Sequence, residues 1–171
     1  MKQDLEDDVV DFFKDNFHSV ERLLELRNRY LSWTADEMLN LIKEQLEEGA
    51  EVRSAMDYWE GLGPALRFYS KRWQGRSNIT LHLDSKAKEG HLKLFLYFYG
   101  VSSEQYRDLD QALSGLPLQE PWTEPGSIRC YQLENSYASL KEARAEIINC
   151  VDAFNRMQQN QLNTIREVRS T

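Results

Sequence analysis

The residues best equipped for chemistry lie between positions 67 and 76, in the sequence RFYSKRWQGR. This segment holds three aromatic residues, no acid and four cations, which are Arg67, Lys71, Arg72 and Arg76. Arg and Lys bind phosphate and carboxylate groups, and exposed aromatic rings stack on bases. The segment therefore predicts an anion-binding surface for an acidic protein partner, a nucleotide or a nucleic acid.

A helical geometry for the same segment supports a second interpretation. At helical spacing, Leu66, Tyr69 and Trp73 share one face, and such an apolar face usually packs in a core. The cations would then lie on a solvated face that binds nothing. Trp73 thus belongs to the binding surface in one interpretation and to the core in the other, and the sequence leaves both open.

One short motif has the form used by some metal-dependent nucleases. In those enzymes carboxylates hold Mg²⁺ while a Lys activates water, and Asp84-Ser-Lys86 has the acid-x-Lys form with Glu89 nearby. The same residues are typical of a charged hairpin turn, and no second acid precedes them on a strand. Nuclease activity is therefore the weakest of the functions considered.

The remaining residue types provide no catalytic constellation. His18, His82 and His91 are far apart in sequence and form no HxxxH or Cys/His pair, so neither a metal site nor a cofactor is expected. The chain also lacks a GxSxG motif and a glycine-rich phosphate loop. We therefore assign no catalytic residue and expect a protein that is not an enzyme.

Charge argues against a general nucleic-acid binder. The 171 residues carry a net charge of −7, whereas such binders are usually basic. Residues 51–100 alone are mildly basic, at +3, between an N-terminal part at −7 and a C-terminal part at −3. Any affinity for nucleic acid would thus have to come from the middle of the chain.

Cysteine content and hydropathy indicate the compartment. Cys130 and Cys150 are too few for a disulfide framework, so buried thiols in a reducing environment are expected. The first residues are acidic where a signal peptide would be basic. The longest apolar run, 94–99, is far shorter than the roughly 20 residues of a membrane span. These features predict a cytoplasmic protein without membrane contact.

The N-terminal elements are predicted to be helical. Apolar residues recur at three- and four-residue spacing over 3–32, without Gly or Pro. Thr34-Ala-Asp-Glu37 matches a capping box that starts a second helix, so the two should form an antiparallel hairpin. Residues 51–73 read as further helix, broken at 61–64. The predicted helical region is therefore 1–74.

In the C-terminal part, the spacing of apolar residues changes from the helical period to the alternation that is typical of strands. Alternation predicts strands at 79–83 and 92–99, and a third strand is expected at 128–133, after a short helix. A long helix follows over 137–168. The predicted fold is α+β: an N-terminal helical bundle, then, over 75–171, a small and mostly antiparallel three-stranded sheet with a long C-terminal helix.

Long helices at both ends exceed what a compact domain of this length needs. They are expected to pack against each other or against a second copy in a coiled-coil seam, which would contain Leu24, Leu31, Phe154 and Met157. The preferred functional prediction is a dimeric protein-interaction domain, acting as an adaptor, subunit or inhibitor in a larger assembly. A nucleotide or nucleic-acid module using 67–76 is the alternative.

Overall fold

The computed structural model describes residues 2–46, 51–59, 63–71, 73, 76–84 and 91–168. It divides into two compact units, Met1–Asp36 and Glu37–Thr171. Within the described residues the fold is mixed α+β, as predicted.

Two consecutive helices open the chain, α1 (Lys2–Asp15) and α2 (Phe17–Glu44). The helical hydrogen bonds continue across Asn16, whose N–H donates to the Phe12 carbonyl (3.0 Å) and whose carbonyl accepts from the Val20 N–H (3.0 Å). The predicted hairpin with a new helix at Thr34 is wrong, because α2 runs through that residue. No Gly or Pro interrupts α2, and a capping-box sequence only favours a helix start locally.

The described strands form one antiparallel sheet. They are β1 (Val52–Trp59), β2 (Gly63–Ser70), β3 (Asn78–Leu83), β4 (Leu92–Tyr99), β5 (Trp122–Glu124) and β6 (Ile128–Tyr137). The strand order is β1-β2-β3-β4-β6-β5. Six strands replace the three that the sequence predicted.

The prediction of helix over 51–73 is wrong, because β1 and β2 occupy most of that segment. Leu66 and Phe68 are buried on one side of β2, whereas Arg67 and Tyr69 point to the other side. Side chains therefore alternate between the two faces, as they do along a strand. Eight paired positions with β1 and four with β3 hold β2 in place. The spacing of residues within β2 carries no information about these partners, which is why it misassigned the segment.

The other predicted elements are present. Strands β3, β4 and β6 contain the predicted ranges, and a short 3₁₀ turn (Ser103–Gln105) leads into α3 (Tyr106–Ala112). The long C-terminal helix α4 (Leu140–Val168) starts three residues later than predicted, because β6 extends to Tyr137. Within the described residues, no helix is both long and apolar enough to cross a membrane.

Helix α4 packs on one face of the sheet and forms the core of the second unit. The Phe154 ring stacks on Trp73 (centroids 4.6 Å apart) and on Phe98 (4.4 Å). Ile147 and Cys150 of the same helix are fully buried. Cys130 and Cys150 are both buried free thiols. The opposite face of the sheet carries the groove that is described in the next subsection.

Candidate functional surfaces

The N-terminal unit exposes an unusual number of large apolar side chains. Each of them is at least one-third accessible, and Val9, Phe12 and Leu23 exceed 60%. We call the following residues the apolar helix face: Val9, Val10, Phe12, Phe13, Phe17, Leu23, Leu24, Leu26, Tyr30 and Trp33.

The apolar helix face follows a seven-residue repeat. One row advances by alternating steps of three and four residues, through Val10, Phe13, Phe17, Val20 and Leu24. A second row lies one position earlier and has polar residues at Asn16 and Ser19, but is apolar again from Leu23 to Trp33. On a helix the two rows are adjacent, so together they make one wide stripe. Charged pairs lie elsewhere on the helices, such as Arg22 with Glu25 at 2.9 Å.

Aromatic contacts order part of this face. The rings of Phe13 and Phe17 meet edge to face at 6.1 Å, and those of Tyr30 and Trp33 lie 6.3 Å apart. Such pairs add to the apolar area of the stripe and hold its side chains in defined positions.

The four residues of the predicted helical seam occupy different environments. Leu24 is exposed, at 37%, whereas Leu31 is buried. Phe154 lies in the core of the second unit between Trp73 and Phe98. The side chain of Met157 lies outside the described residues.

A second surface is the sheet face opposite α4, where a cavity of about 680 Å³ opens. An adjoining cavity of about 420 Å³ shares three of its residues. We call the two together the sheet-face groove. Its principal lining residues are Arg67, Asn78, His82, Lys93, Phe95, Tyr97, Tyr99, Gln119, Glu120, Trp122, Glu124 and Gln132, with Tyr69, Lys71 and Arg76 in the adjoining cavity.

The antiparallel register assembles this groove in rows across the sheet. Arg67 lies opposite Thr80, which lies opposite Phe95. In the next row, Asn78 lies opposite Tyr97. Residues opposite each other point to the same face, so side chains far apart in sequence converge.

The cationic segment 67–76 is divided by its strand geometry. Arg67, Lys71 and Arg76 line the groove, whereas Trp73 is 2% exposed beneath Phe154 on the other side. Arg72 lies outside the described residues. Neither sequence interpretation predicted this division, because each placed the segment as a whole, either on a binding surface or on a helix.

Most groove cations already have an acidic partner. Arg67 pairs with Asp57, Lys71 with Glu51, and Lys93 with Asp84 at 2.9 Å. The pKa of the Glu51 carboxyl is lowered, chiefly by the hydrogen bond from Lys71 and to a smaller extent by the one from Arg53.

Arg76 differs from the other groove cations. It is exposed, and its side chain forms no ion pair with any residue in the described ranges. Its backbone carbonyl accepts a hydrogen bond from the Asn78 Nδ2 at 3.0 Å, which ties its main chain to the groove floor. The exposed Arg76 side chain lines the adjoining cavity of the groove.

The far side of the groove is acidic and aromatic. Glu120 and Glu124 lie there, and the Trp122 Nε1–H donates to Glu124 Oε1 at 3.4 Å. Burial, with a further contribution from the charge of Glu124, raises the pKa of the Cys130 thiol to about 12. Burial likewise raises the pKa of the Tyr97 phenol. Both groups are therefore neutral at physiological pH.

The residues of the nuclease motif do not form a described site. Asp84 is half-buried and pairs with Lys93, whereas Lys86 and Glu89 lie outside the described residues. No group of three or more potential metal ligands comes together in the part of the chain that the structure describes. His82 is buried, with its ring edge to face with Phe95 at 6.2 Å.

Sequence reasoning missed the groove itself, although one signal for it was present. The second face of β4, with Phe95, Tyr97 and Tyr99, is aromatic rather than solvating. Residues such as Asn78, Gln132 and Trp122 carried no local signal, because only strand pairing brings them to the same face.

Comparison with family models, with curated proteins and with solved structures finds no match to this chain. Its function therefore has to be inferred from the two surfaces.

Proposed function

We propose that this protein is a non-enzymatic interaction domain that forms a homodimer through the apolar helix face. The dimer would serve as an adaptor, subunit or inhibitor within a larger assembly. The observation that carries this proposal is the apolar seven-residue repeat, which stays exposed in the N-terminal unit.

The area of the apolar helix face suits a stable dimer. At roughly 100 Å² of exposed surface per side chain, its ten members expose on the order of 1,000 Å². The largest apolar patch of a monomeric protein is about 300–600 Å². One partner in a stable complex contributes about 800 Å². The face thus exceeds what a monomer exposes and equals what a dimer needs.

A second copy of the chain is the occupant that the repeat favours. Alternating three- and four-residue steps are the geometry by which helices pair with helices of the same pitch, and homodimers use one self-complementary surface. An antiparallel pairing centred between Phe17 and Val20 packs Phe13 of one copy against Leu24 of the other. It also brings Lys14 near Glu21 of the second copy, which adds opposite charges at the edge.

The decisive measurement is the mass in solution by sedimentation equilibrium. The wild-type chain should have twice the monomer mass of 20.1 kDa at micromolar concentration. Leu24→Glu should give a monomer with unchanged circular dichroism, because Leu24 is exposed within the unit. Arg29→Glu, on the polar side of the same helix, is the matched control and should remain dimeric.

Two results would contradict this proposal. One is a wild-type monomer at 100 µM or above; the other is an equal loss of dimer in the Leu24→Glu and Arg29→Glu proteins. The antiparallel arrangement has its own test. Lys14→Glu and Glu21→Lys should each weaken the dimer a few-fold, and the double variant should restore it.

A further inference from the structure

The two ends of the sheet-face groove differ in charge. Arg67, Lys71 and Arg76 line one end, and Glu120 and Glu124 line the other. Phe95, Tyr97 and Tyr99 lie between them on β4, and Trp122 lies beside Glu124 at the acidic end. A ligand that fits all three parts is anionic at one end, flat in the middle and rich in hydrogen-bond donors at the other end.

The groove has the dimensions of a small-molecule site. It runs from β2 across β3, β4 and β6 to β5, and four strand spacings amount to about 19 Å. The larger cavity, at about 680 Å³, lies within the range of ligand pockets in proteins. An elongated ligand with two distinct ends therefore fits better than a compact one.

The basic end retains hydrogen-bond donors for an anion. Arg67 pairs with Asp57, but a guanidinium has five N–H donors, so one carboxylate does not exhaust them. Arg76 is exposed and forms no ion pair with a described residue. Phosphate oxygens bind guanidinium groups in paired hydrogen bonds. Two arginines at one cavity are thus suited to a phosphate group.

Aromatic rings on β4 line the middle of the groove, next to Asn78 on β3. Aromatic side chains stack on nucleobases whatever the base identity. On the adjacent strand β3, the Thr80 hydroxyl donates to Asn78 Oδ1 at 2.7 Å, and Asn78 Nδ2 donates to the Arg76 carbonyl at 3.0 Å. These bonds fix the position of the Asn78 side chain, which lines both cavities.

The acidic end selects both the base and the length of the ligand. Carboxylates of Glu120 and Glu124 accept hydrogen bonds from exocyclic amino groups, which adenine, guanine and cytosine carry. The same carboxylates repel any further phosphate, as does the net charge of −7. A polynucleotide running through the groove is therefore disfavoured relative to a single nucleotide.

We infer that the sheet-face groove binds a mononucleotide, with its phosphate at Arg67 and Arg76 and an amino-bearing base near Glu120 and Glu124. Every residue of this site belongs to the second unit, whereas the apolar helix face belongs to the first.

Titration calorimetry on the full chain tests the inference, with tryptophan fluorescence as a second readout. The probes are AMP, CMP, UMP, adenosine, inorganic phosphate and a single-stranded oligonucleotide. AMP should bind at least tenfold more tightly than adenosine or phosphate alone. CMP should bind several-fold more tightly than UMP, whose base has no amino group, and Glu124→Gln should reduce that preference.

Variants locate the site. Arg76→Glu should weaken AMP binding at least tenfold and leave adenosine binding nearly unchanged, because only the phosphate end of the groove is altered. Trp122→Leu should weaken the binding of both AMP and adenosine. Arg107→Glu makes the same charge change at an exposed position on α3 and should leave AMP binding intact; each variant is checked for unchanged thermal unfolding.

Three outcomes would overturn the inference. The first is the absence of AMP binding at millimolar concentration. The second is equal weakening by Arg76→Glu and Arg107→Glu, which would indicate a diffuse charge effect. The third is tighter binding of the oligonucleotide than of any mononucleotide, which would indicate a nucleic-acid surface.

Discussion

The Phe154→Ala variant distinguishes a core residue from a seam residue most directly. Phe154 is 2% exposed, and its ring stacks at 4.6 Å on Trp73 and at 4.4 Å on Phe98. Truncation of such a ring removes its burial and leaves a cavity between two large partners. Buried Phe→Ala changes cost about 3–5 kcal/mol of unfolding free energy, and the loss of two stacked pairs places this case in the upper part of that range.

The assay is urea unfolding followed by circular dichroism, with thermal unfolding as a second measurement. A cost of about 3–5 kcal/mol corresponds to a fall in Tm of about 6–20 °C for a chain of this size. The control is Phe12→Ala, because Phe12 is 62% exposed and should cost well under about 1 kcal/mol in the monomer. Measurements at low concentration separate folding from association.

Phe154 would belong to the helical seam that the sequence predicted, and not to the core, if Phe154→Ala cost less than about 1 kcal/mol of unfolding free energy and dissociated the dimer instead. A large loss of stability in Phe12→Ala at low concentration would likewise contradict its exposure.

Three further predictions concern the second unit. Gly63→Ala should destabilise the protein by about 1–3 kcal/mol, because Gly63 has φ +110° and an added Cβ would lie 3.2 Å from a backbone oxygen. The control, Gly115→Ala, should be nearly neutral in the same urea titration, because an added Cβ there meets no atom within 4 Å. The free energy of unfolding should fall as pH rises from about 9 to 12, because the Cys130 thiol has a pKa near 9 unfolded and about 12 folded. Cys130→Ala should flatten that decline, and a slope equal to wild type would contradict it. Asp84→Ala should lower the free energy of unfolding without altering any Mg²⁺-dependent nuclease activity. Loss of such an activity in this variant would support the nuclease hypothesis instead.

Local periodicity predicted the elements in which residue types repeat with a single period. Helix α4 has an apolar stripe at helical spacing over many turns, and residue types alternate along strands β3 and β4. In these segments the pattern that secondary structure requires and the pattern that the core requires coincide. The α+β class followed from them.

Local periodicity failed where one spacing satisfied two structures. In 64–73, Leu66, Tyr69 and Trp73 fit a helical face, yet Leu66 and Phe68 also fit a strand with one buried face. Pairing of β2 with both β1 and β3 selected the strand. That pairing energy comes from residues outside the segment, so no window within it contains the answer.

The sequence by itself determined the long helices, the seven-residue apolar repeat, the acidic balance and the cations of segment 67–76. Only the tertiary structure decided that Trp73 joins Phe154 in the core while Arg67 and Arg76 line a groove. It also brought Asn78 and Trp122 into that groove. The physical reason is that a helix face is defined by neighbours in sequence, whereas a sheet face is defined by the register between strands that sequence proximity does not specify.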